Sequence, residues 1–172
     1  MSTSVLFTPI RIADHTFANR IVISPMCQYS AENGCANDWH LMHLGMLSNS
    51  GAGLLIVEAT AVEPEGRISP GDLGLYDDAN EAALARVLAA CRRYGTAKLG
   101  IQISHAGRKA SAHTPWHGGG PLRPEEGAWQ AVALDMGCLN DHQRGTGMRH
   151  HAEMHQVPVV GAAIIAGILT HG

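Results

Sequence analysis

Apolar positions fall into two alternating patterns along this chain: short unbroken runs, and longer stretches with apolar residues three and four apart. Residues 20–26 read Arg-Ile-Val-Ile-Ser-Pro-Met, a β-branched run that stops at a proline unable to donate to a sheet ladder, so a buried strand is predicted to end there in a loop. Gly53 opens a second run, residues 54–62, which is nearly continuous rather than alternating, as expected of a parallel strand covered on both faces. Between them, residues 38–47 show helical spacing after an Asn37-Asp38 start suited to capping. A second helix is predicted over residues 80–94, with Leu84, Val87, Leu88 and Cys91 on one stripe, Arg92 and Arg93 near its end and Gly95 as its stop. Residues 97–105 then read as a third strand leading into the polar loop 106–109. Strands alternating with helices predict an α/β fold on a parallel sheet, either a barrel or a doubly wound sheet. Periodicity does not choose between these, although no G-x-G-x-x-G or Walker loop favours the second.

Composition narrows the function classes. The 172 residues are 45% hydrophobic and 16% charged, as in ordinary globular domains, and one domain is the default. A formal net charge of -3 provides no basic field for nucleic acid or anionic membrane, which leaves small molecules or other subunits as expected partners. Cys27, Cys35, Cys91 and Cys138 include no C-x-x-C pair, and residues 1–7 lack the pattern of a secretory signal, so a reducing cytoplasm is the expected setting. The most apolar stretch, residues 157–169, is too short for the ~20 residues of a membrane helix and reads as a buried segment or an out-of-context tail.

An ordered set of motifs then adds to this reading: Leu6-Phe7-Thr8-Pro9, Asn19-Arg20-Ile21-Val22, Ser24-Pro25-Met26-Cys27-Gln28-Tyr29, Val57-Glu58-Ala59-Thr60-Ala61-Val62, Gly66-Arg67-Ile68, and Gly100-Ile101-Gln102-Ile103-Ser104-His105-Ala106-Gly107-Arg108-Lys109. Each is weak alone, but in this order and spacing they resemble the N-terminal part of the old yellow enzyme family, the bacterial class with a cysteine after Pro-Met. The resemblance implies a (β/α)₈ barrel, here an incomplete TIM barrel of roughly its first three βα units, holding FMN at the C-terminal ends of the strands. It also implies an oxidoreductase in which NADH or NADPH reduces FMN and the reduced flavin passes a hydride to an activated alkene such as an enone. By similarity, Pro25, Met26 and Cys27 lie along the flavin, Ala59 packs at its edge, and Gln102 bonds the pyrimidine end of the ring. Tyr29 and Lys109 match positions lining or rimming the substrate pocket. These residue types suit the chemistry: an apolar wall for a flat ring, an amide that both donates and accepts, and a soft group near the reacting edge.

Several residues also carry plainer readings. Cys27 alone would pass for a small buried hydrophobe, and Tyr29 and Lys109 for ordinary loop residues. His105, at a strand end, is expected to be a paired core histidine rather than a base. His40 and His43 share a helix face, but no third ligand stands near them in sequence.

The resemblance is expected to cover residues 1–133 and to leave 134–172 as an unmatched tail, frameshifted or disordered. After residues 127–133 the chain reads Leu134-Asp135-Met136-Gly137 where the family pattern would continue Pro-Ser-Ala. A shifted frame or truncated gene is the expected origin of this break. The later strands, the paired His/His or His/Asn donors that orient substrate, and the phosphate site are then expected to be missing, leaving the third strand unpaired and the chain inactive alone. The alternatives are a non-catalytic chain that needs a complementary partner or self-association, and metal capture by His142, His150, His151 and His155.

Overall fold

The computed structural model describes residues 4–132 and the backbone of residues 164–168. It opens with an antiparallel hairpin, β1 (Ile10–Ile12) and β2 (His15–Phe17), in which Ile10 faces Phe17 and Ala13 takes the left-handed turn position at φ 50°. Strands of three residues carry no readable period, and the hairpin is not predicted by the apolar pattern.

The main sheet follows the predicted order. β3 (Val22–Ile23) pairs in parallel with β4 (Leu54–Ala61), and β4 pairs in parallel with β6 (Lys98–Ser104). A two-residue strand, β5 (Leu73–Gly74), lies parallel to the far end of β4. The observed β3 is shorter than the predicted run because Ser24 and Pro25 already belong to the loop. The fold is therefore α/β, with β3, β4, β5 and β6 running parallel. Leu55 and Val57 of β4 and Leu99 and Ile101 of β6 form the core with Leu44 of α1 (Asp38–Ser48) and Leu84, Val87, Leu88 and Cys91 of α2 (Asp78–Tyr94). The opposite sheet face carries Leu54, Ile56 and Gly100.

Both helices begin where capping chemistry places them. Asn37 accepts from the Trp39 N–H at 3.1 Å, and its own N–H donates to His40 Nδ1 at 3.1 Å, so a histidine completes the reciprocal cap. α2 starts two residues before the predicted position because Asp77, which accepts from the Asn80 N–H at 2.8 Å, is the cap. Gly95 ends α2 at φ −89°, an ordinary conformation. It is needed for space, because a Cβ there would collide with Ser48.

β4 departs from regular pairing at one point. Val57 faces Ile101 and Ala59 faces Gln102, so Glu58 is an additional residue, a bulge that turns its side chain to the helix side. β6 is not left unpaired: β7 (Ile164–Ile168) lies antiparallel along its outer edge, with Gln102 opposite Ile165. Free strand-edge groups demand a partner, and this short apolar segment supplies one. The histidines at 142, 150, 151 and 155 lie outside the described residues.

Candidate functional site

Parallel strands deliver their C-terminal ends to one side of a sheet, and three segments of the chain meet there. The loop leaving β3 carries Pro25, Met26 and Cys27; the end of β4 carries Ala59; the end of β6 carries Gln102. Ala59 and Gln102 are direct partners in the β4–β6 register, so a methyl group and an amide stand side by side on adjacent strands. Pro25, Cys27, Ala59 and Gln102 are half-buried, while Met26 is 58% exposed, a large apolar side chain left to solvent at the rim. Among the described residues the Gln102 side chain has no hydrogen-bond partner, although most amides at such depth have one. A half-buried amide with unused donors and acceptor, beside small and apolar groups, fits the polar edge of a flat heteroaromatic ring.

Burial pushes the Cys27 thiol up to about 11, with the nearby carboxylates of Glu58 and Asp72 adding to the effect. Cys27 is therefore a neutral thiol at physiological pH, a soft polarisable contact rather than a nucleophile. Asp72 accepts from the Ile68 N–H at 2.9 Å and the Ser69 hydroxyl at 2.7 Å, and burial still holds its carboxyl above the ordinary range.

The structure brings Tyr29 and Lys109 together. Both line a cleft of about 360 Å³ with Ile68, His113 and Pro115. Tyr29 stands at φ 51°, a left-handed position that non-glycine residues rarely adopt, and packs edge-on against Trp116 at 5.5 Å. Gly71 makes that loop path possible, since a Cβ there would meet the Tyr29 carbonyl oxygen at 2.5 Å. A clamp joins the loops after β4 and β6: Gly107 N–H donates to His105 Nδ1 at 3.0 Å, which leaves Nε2 to meet Glu63 Oε1 at 2.7 Å. His105 is thus paired, as expected, but its side chain is 30% exposed, so it stands half-buried at the strand end and not in the core. The segment after it folds back over the same end, where Trp129 donates from Nε1 to the Glu65 carbonyl at 3.0 Å beneath the Arg67 guanidinium.

His40 and His43 do not converge. His43 stacks on Trp39 at 6.3 Å, whereas His40 is fully buried with Nε2 3.6 Å from Glu58 Oε1. Among the described residues no group of three metal-ligating side chains occurs. Burial pushes the His40 imidazole down to about 4 and the Glu58 carboxyl up to about 7. Glu58 has no role in the sequence reading, although a glutamate inside an otherwise apolar run was a usable signal that it needs a buried partner.

Known proteins resemble this chain in sequence and in fold. The model of the NADH:flavin oxidoreductase / NADH oxidase family matches residues 5–150. An NADH:flavin oxidoreductase of Gibberella zeae is 52% identical over 115 residues, which is 67% of this chain and 27% of that protein. An NADPH dehydrogenase of Listeria monocytogenes is 50% identical over 109 residues, 62% of this chain and 32% of that one. The chain thus spans less than a third of the length of these relatives. Among solved structures, morphinone reductase in complex with tetrahydroNAD superposes with a TM-score of 0.57 at 27% identity, over 63% of this chain and 29% of that one. The old yellow enzyme homologue from Zymomonas mobilis gives 0.55 at 29% identity, over 62% and 30%.

Proposed function

The chain belongs to the NADH:flavin oxidoreductase / NADH oxidase family, and from that premise we propose that its described strands build one wall of an FMN site in a TIM-barrel oxidoreductase. The observation that carries the reading is the pairing of Ala59 with Gln102, whose amide has no partner among the described residues, beside the Pro25–Met26–Cys27 loop. When bound, FMN supplies hydride exchange between NADH or NADPH and the electron-poor C=C bond of an enone or similar alkene. The chain's own residues do the rest of what is proposed here. Gln102 holds the polar edge of the ring, Pro25, Met26 and Ala59 exclude water from its apolar part, and Cys27 offers a neutral thiol against it. Tyr29 and Lys109 shape and polarise the adjoining cleft for substrate.

The 172-residue chain alone is proposed to be inactive, because barrel sites of this kind also draw on later strands for substrate donors and for phosphate. A second reading is that it works only with a complementary chain. Two observations favour it: β3 has no strand on its outer side among the described residues, and α1 leaves Trp39, Met42 and Met46 exposed.

The test is the visible spectrum of the purified chain after FMN is added and free flavin removed. The reading expects retained flavin bands that Gln102→Ala weakens by about tenfold in affinity, the loss of one or two well-placed hydrogen bonds. Equal retention by the two proteins would contradict it.

A further inference from the structure

A closed set of hydrogen bonds surrounds Cys27 that the flavin reading does not use. The Gln28 N–H donates to Glu58 Oε2 at 2.8 Å, the Gln28 side-chain amide donates to the Met26 carbonyl at 2.9 Å, and the Ser30 hydroxyl donates to the Gln28 carbonyl at 2.9 Å. The peptide groups on both sides of Cys27 are therefore captured. The same loop is tied to the start of α1, where Trp39 Nε1 donates to Gln28 Oε1 at 3.2 Å and the Asn37 amide donates to the Ser30 carbonyl at 2.7 Å.

Glu58 joins this set only because of the bulge. In a regular strand residue 58 would face opposite to Val57. The additional residue turns it to the helix side instead, where it is 4% exposed between the Cys27 loop and His40. Bulges beside active sites commonly re-aim one side chain, and here the side chain reaches the loop proposed to carry the flavin contact.

We infer that Glu58 is a positioning residue: from the β4 bulge it accepts the Gln28 N–H, fixes the Met26–Gln28 turn, and so sets how Cys27 is presented to the flavin. The purpose assigned to it rests on the flavin reading, while the contacts themselves involve no ligand. The titratable groups around Glu58 are His40 on α1, with His43 behind it, Asp72 ahead of β5, and Cys27 and Tyr29 on the loop. Burial brings the Glu58 carboxyl to about 7, and its negative charge is one of the causes that raise the Cys27 thiol. Position and charge are thus separable by pH.

The test is the alkylation rate of Cys27 by iodoacetamide in the 172-residue chain, read by peptide mass spectrometry, with Cys35 as internal control. Cys35 is also half-buried, but it contacts Asn80 instead of the loop network. At about pH 6, where Glu58 is mostly protonated, E58A is expected to raise the Cys27 rate by about fivefold or more through local loosening, and E58Q, which keeps an acceptor for Gln28, to stay within about twofold of wild type. Cys35 should not change. Between about pH 6 and 8 the wild-type Cys27 rate should rise less steeply than the roughly tenfold per unit of an isolated thiol, and E58Q should restore that slope. An unchanged Cys27 rate in E58A, or equal acceleration of Cys35, overturns the inference. If E58A does not fold, Glu58→Leu, which fills the same space but offers Gln28 no acceptor, takes its place, and an unchanged Cys27 rate in that variant overturns the inference as well. None of these outcomes requires bound flavin, so a failure of the FMN titration leaves the positioning role to be judged by itself.

Discussion

At the residue scale, the two buried groups His40 and Glu58 make opposite contributions to stability. The Glu58 carboxyl is raised to about 7, so the folded chain binds more protons than the unfolded one between its ordinary 4.5 and about 7, and stability falls as pH rises through that window. The His40 imidazole is lowered from 6.5 to about 4, so the folded chain binds fewer protons there and stability rises across nearly the same range. The two slopes largely cancel in wild type. Glu58→Gln removes one of them, so the variant should gain stability relative to wild type as pH passes from about 4.5 to 7, by roughly 1–3 kcal/mol. Urea titrations at several pH values check the sign, and a difference that does not change with pH would place Glu58 in contact with water. The Gln102 amide is a different case. Substituting it removes no hydrogen bond to a described residue, so Gln102→Ala should cost little stability, under about 1 kcal/mol, while weakening flavin binding.

At the element scale, the cap of α1 serves both the helix and the site. The Asn37 side chain satisfies the Trp39 N–H and holds the Ser30 carbonyl, so Asn37→Ala should cost more than the ~1 kcal/mol of an ordinary cap and should also free the Cys27 loop. A drop in melting temperature together with faster Cys27 alkylation checks this. Gly95→Ala tests packing by another route: its backbone suits alanine, so any loss, expected at about 1–3 kcal/mol by urea unfolding, comes from overpacking against Ser48. The sequence made these elements legible wherever a period ran long enough. Residues 54–62 and 97–105 read as buried strands, and the stripe from Leu84 to Cys91 fixed the second helix. The β1–β2 hairpin and β5 were not legible because strands of two or three residues show no period. The bulge at Glu58 was hidden for a related reason: an unbroken apolar strand has no alternation for an additional residue to interrupt. The motif resemblance named Ala59 and Gln102 separately, and only register revealed that they are neighbours.

At the scale of the whole molecule, the described residues form one side of an α/β sheet structure, with β7 along one edge and β3 at the other. No helix of the described residues is long and apolar enough to cross a membrane. An enone assay with NADPH and added FMN is expected to show no turnover by this chain alone, since removing even one preorganised donor from a site costs on the order of 10²–10³ in rate. The decisive experiment on the flavin wall is a footprint: Cys27 alkylation with and without saturating FMN, read beside Cys35. If the wall formed by Pro25, Met26, Cys27, Ala59 and Gln102 holds the flavin, FMN should slow Cys27 by several-fold, leave Cys35 unchanged, and require a higher concentration to do so in Gln102→Ala. Chain that binds FMN while Cys27 reacts at its ligand-free rate would place the flavin elsewhere and contradict the account.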